Sequence, residues 1–91
     1  MSSAFVNEDA GGNDRAKRYA HLPPRHDPSY DAAAAQVMLD AARAGETFAG
    51  EEATGYYWGE ERLKPHVRAI LEKARAAGDD RLEQLAERFL R

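Results

Sequence analysis

The sequence predicts an all-α fold, a small three-helix domain made of a single helix followed by an αα-hairpin, on three observations. Leu63, Val67, Ile70, Leu71 and Ala74 recur at the spacing of one helix face, as do Leu82, Leu85, Ala86, Phe89 and Leu90. The Gly78-Asp79 link between those two stretches is so short that they must run antiparallel with their stripes facing. Upstream, Tyr30, Ala34, Val37, Met38 and Ala41 repeat at the same period. Residues 27–91 are therefore read as the helical domain, and residues 1–26 as a flexible, basic, proline-containing tail.

The tail comes first. Phe5 and Val6 are its only bulky apolar residues before Tyr19, and Gly11, Gly12, Asn13 and Asp14 resist regular structure, so it is expected to be disordered or ordered by a partner. Asn7, Glu8 and Asp9 stand where an export signal would have its apolar core, which points to a cytoplasmic protein. From Arg15 to His26 no acid occurs, and Arg15, Lys17, Arg18 and Arg25 form a short basic arm that could touch nucleic acid; a solvated linker is the plainer reading. Leu22, Pro23 and Pro24 should be extended, a stiff spacer ahead of the first helix.

The first helix is expected over residues 28–44. Asp27 can cap it, Pro28 suits its first position, Asp31 opposes the positive end of the dipole, and Gly45 stops it. Leu39 lies about 100° round from Met38, on a side shared with Ala32, Ala35 and Ala42, so the helix is apolar on two sides. Either one side serves the domain's own core and the other, through Leu39, a second chain, or the alanines are there as good helix formers and Leu39 is singly exposed.

Residues 45–59 change character. Gly45, Gly50, Gly55 and Gly59 punctuate the segment and favour a loop, while Phe48, Tyr56, Tyr57 and Trp58 concentrate the aromatic surface. Glu46, Glu51, Glu52, Glu60 and Glu61 accompany them without any cation. The rings either fill a thin core or meet a partner. The second helix, over residues 62–77, has Glu60 and Glu61 near its start and tolerates Pro65 only in its first turn. The third, over residues 80–90, is capped by Asp79 or Asp80, and Asp80 with Glu83 has capping-box spacing.

Composition narrows function more by exclusion. The chain has 91 residues and a net charge of −3, so it forms one domain at most and does not grip nucleic acid with its whole surface. It has no cysteine, so neither disulfides nor thiolate-bound metal can stiffen it. No run of about 18 apolar residues marks a membrane span. Arginine exceeds lysine and alanine is abundant, which suits a GC-rich bacterial genome. His66 is a lone histidine at the margin of a helix stripe, Glu60 and Glu61 point apart on a helix, and Ser2, Ser3 and Ser29 sit in no nucleophile elbow. No catalytic, metal-binding or cofactor motif is present, and the chain is expected not to be an enzyme.

With so few bulky apolar residues a lone monomer is expected to be marginal. The function expected is that of a small helical interaction or accessory protein, acting as a homo-oligomer or on a larger partner, with Leu39, Tyr56, Tyr57 and Trp58 as contact residues. The alternative is a small antitoxin-like regulator that binds nucleic acid through Arg15, Lys17, Arg18 and Arg25.

Overall fold

The computed structural model describes Tyr19 and residues 21–91. Among the described residues four α-helices carry the fold: α1 (Tyr30–Arg43), α2 (Thr47–Thr54), α3 (Lys64–Ala77) and α4 (Asp80–Leu90), with a 3-10 turn at Glu61–Leu63 leading into α3. Among the described residues there is no strand. The fold is all-α, and the expected disorder of the first eighteen residues lies outside the described residues.

The hairpin forms where the sequence places it. Pro65 sits in the first turn of α3, where its missing N–H costs nothing, and α3 ends at Gly78 with the Asp79 N–H donating back to the Ala74 carbonyl at 2.9 Å. Asp79, rather than Asp80, caps α4 by accepting from the Leu82 N–H at 3.2 Å. Its other carboxylate oxygen accepts from Arg43 at 2.9 Å, which ties the end of α1 to the start of α4. These two donors, Arg43 first, hold the Asp79 carboxyl below the usual aspartate range. Val67, Leu71, Leu85, Ala86 and Phe89 bury the facing stripes.

α1 is the central element, in contact with α2, α3, α4 and the 3-10 turn. It begins two residues later than expected. Asp27 does not cap it but turns the chain, its carboxylate accepting from both the N–H and hydroxyl of Ser29 at 2.8 and 2.6 Å, which lowers its pKa. Both apolar sides of α1 are covered within the one chain apart from Ala32, which stays exposed. Leu39 has 0% exposure and joins Leu63, Val67 and Phe89 in the core, while Met38 and Ala41 meet α2.

The Met38 and Ala41 side is closed by an element the sequence conceals. Residues 47–54 are helix, not loop, and what α2 buries is Ala49, Gly50 and Thr54, none of them bulky. A methyl group added at Gly50 would lie 2.8 Å from the Ala41 Cβ, so the glycine sits at the contact where α1 and α2 approach most tightly. The domain also begins earlier than residue 27. Leu22 packs against the core, and the Tyr19 hydroxyl donates to Glu46 at 2.8 Å.

Candidate interaction face

The last turn of a helix leaves carbonyls without partners and concentrates negative partial charge. At the end of α2 the Thr54 carbonyl meets that need twice over, accepting from the Tyr30 hydroxyl at 2.7 Å and from the Arg25 guanidinium at 3.0 Å. Arg25 also lies over the Tyr30 ring, 5.5 Å from its centroid. The Thr54 side chain, 1% exposed, donates to the Gly50 carbonyl at 2.9 Å and accepts from the Tyr56 N–H at 3.2 Å. Gly55 follows with φ +81°, and a Cβ there would strike the Arg25 guanidinium as well as straining the backbone.

Beyond this anchor the three rings of the aromatic segment part company. Trp58 turns inward and half-buries itself edge-on against Phe89, with centroids 4.8 Å apart at 67°. Its backbone N–H donates to Glu51 at 2.9 Å, folding the loop onto α2. Tyr56 is also half-buried, tilted against Tyr30 at 6.3 Å, with its hydroxyl donating to Asp31 at 2.6 Å. That hydrogen bond, assisted by desolvation, raises the Tyr56 pKa above the ordinary phenol value. Tyr57 points away and is 77% exposed.

Phe48, on α2, is 70% exposed. With Glu51, Glu52, Gly55 and Tyr56, these two rings line a cleft of about 300 Å³. Further hollows are lined by described residues. One of about 410 Å³ runs between α1, α3 and α4 past Gln36, His66, Ile70, Lys73 and Leu82. Another, about 520 Å³, is polar and lies where Arg25, Asp31, Tyr56 and Arg62 converge. Among the described residues no group of three His, Asp or Glu side chains is placed to hold a metal ion, and no helix is long and apolar enough to cross a membrane.

The residues singled out in the sequence therefore have different fates. Leu39 is corrected from contact residue to core, because the hairpin packs over its side of α1. Trp58 is chiefly filling, Tyr56 is a fixed wall of the cleft, and Tyr57 is displayed. Arg25 is bonded into the domain at Thr54 and Tyr30, while Arg15, Lys17 and Arg18 lie outside the described residues. In the sequence Phe48 stands out only as aromatic surface. Its signal was a bulky ring among small residues, off the face that Ala49 and Gly50 bury. No protein-family model, curated protein or solved structure matches the chain.

Proposed function

We propose that the chain is a small helical protein-interaction or accessory module that meets its partner, a second copy or a larger protein, through the face built on α2 and the loop after it. The observation that carries this reading is the display of Phe48 and Tyr57, the two exposed large apolar side chains among the described residues, on one cleft. Exposed rings cost a monomer solubility and contribute nothing to its core, whereas Tyr and Phe at a protein interface supply much of the contact energy. The rigid backing of Tyr56, Glu51 and Thr54 lets the face bind with little ordering cost. A nucleic-acid arm would rest on Arg15, Lys17 and Arg18, since Arg25 is committed to Thr54 and Tyr30.

A photo-crosslinking amino acid at position 48, with position 68 on the exposed side of α3 as control, tests the reading in cells, alongside sedimentation of the purified chain. The expected result is a defined crosslinked species at position 48, lost on Tyr57→Ser, and none at position 68. A self-crosslink would identify a homo-oligomer. A monomer in sedimentation with no product specific to position 48 would sink the proposal.

A further inference from the structure

We infer that the cleft beside α2 takes a basic segment of a partner protein, one that carries an arginine or lysine next to an apolar side chain. This rests on the interaction reading above and adds the chemistry of the occupant. The walls of the cleft are the rings of Phe48, Tyr56 and Tyr57, and its polar lining is Glu51 and Glu52, with no cation among them. Between Ala44 and Arg62 the chain carries five glutamates and no lysine or arginine. An acidic occupant would be repelled, and a wholly apolar one would desolvate carboxylates without replacing their water. A cation next to an apolar group answers both parts of the lining, since the carboxylates pair with it, the ring faces attract it, and its neighbour covers the ring edges.

The molecule already recognises a guanidinium in this way next to Gly55, a residue of the cleft lining. Arg25 lies over the Tyr30 ring at 5.5 Å and donates to the Thr54 carbonyl, the last residue of α2. The cleft repeats those elements, ring faces and acceptor oxygens, with the cation left for another chain to bring. Its walls are set beforehand, Tyr56 by Asp31 at 2.6 Å and Glu51 by the Trp58 N–H at 2.9 Å.

Three fluorescently labelled, end-capped peptides with one leucine-rich pattern, bearing arginine, glutamine or glutamate at the same two positions, probe the full chain by anisotropy. The arginine peptide is expected to bind about tenfold more tightly than the glutamate peptide. Its affinity should fall about fivefold or more on raising salt from about 50 to about 500 mM. Glu52→Gln and Phe48→Ala, each checked for native circular dichroism, should each weaken it about threefold or more. Equal binding of the three peptides, no binding of the arginine peptide at about 1 mM, or indifference to Glu52→Gln overturns the inference. Binding that emerges only after Arg15, Lys17 and Arg18 are reversed to glutamate would assign the cleft to the chain's own N-terminal segment, and overturns it too. A position-48 crosslink that persists while the peptides fail separates this inference from the interaction reading, which would then stand alone.

Discussion

At the scale of single residues, position in the fold separates side chains of similar chemistry. Leu39→Ala removes a fully buried side chain from the crossing of α1 with the hairpin and should destabilise the domain by about 2–5 kcal/mol. Trp58→Ala loses a half-buried ring and its edge-on contact with Phe89, for about 2–3 kcal/mol. Tyr57→Ser, at a ring standing in water, should stay within about 0.5 kcal/mol of the parent. Urea unfolding of the three variants measures this ordering, and a large loss for Tyr57→Ser would contradict the placement of its ring. Nothing in the local sequence separates Tyr57 from Trp58. They are neighbours in a glycine-bounded run, and only the approach of Phe89 from α4 decides which faces inward.

At the scale of elements, α3 and α4 are legible because large apolar side chains mark their period and Gly78 and Asp79 mark their boundary. α2 is not, because it packs on Ala49, Gly50 and Thr54, residues that leave no hydrophobic period in the sequence. The glycine that argued for a loop is the one that lets two helices touch. Gly50→Ala should therefore cost about 1–3 kcal/mol despite alanine's better helix propensity. Much of that loss should return in the Ala41→Gly, Gly50→Ala double variant, measured as a coupling in denaturant unfolding. The joint between α1 and α4 is electrostatic instead. Asp79 has a depressed folded-state pKa, so its contribution is present above the unfolded aspartate value of about 4 and is lost as pH falls through the folded value. Asp79→Asn should be less stable than the parent at neutral pH, and the gap should narrow as pH falls below about 4 in urea titrations. The cluster of Arg75 with Glu72, Glu83 and Glu87, at 3.3–3.4 Å, adds little, because its side chains are 30–74% exposed and screened by water.

At the scale of the whole molecule, α1 is enclosed by its own chain, α2 on one side and the hairpin on the other. The Leu39 side, expected to be left for a partner, is taken by the hairpin, while α2, in a segment expected to be loop, closes the Met38 and Ala41 side; the large apolar side chains left exposed among the described residues are Phe48 and Tyr57. The two sides of α1 are not sealed alike. The hairpin and the 3-10 turn ahead of it hold on through Leu63, Val67, Leu71 and Phe89, whereas α2 holds on through small side chains and through clamps at its ends, Tyr19 on Glu46 and Arg25 with Tyr30 on Thr54. Amide protons of α2 should thus exchange with deuterium through a partial opening that leaves α3 and α4 protected, while those of the hairpin exchange only on global unfolding. Native-state exchange in rising denaturant would resolve the two classes, and a single shared isotherm would refute the division. A partner seated on α2 would slow the first class and leave the second unchanged, so occupancy of the face would be read out as a hierarchy of opening rates within one small domain.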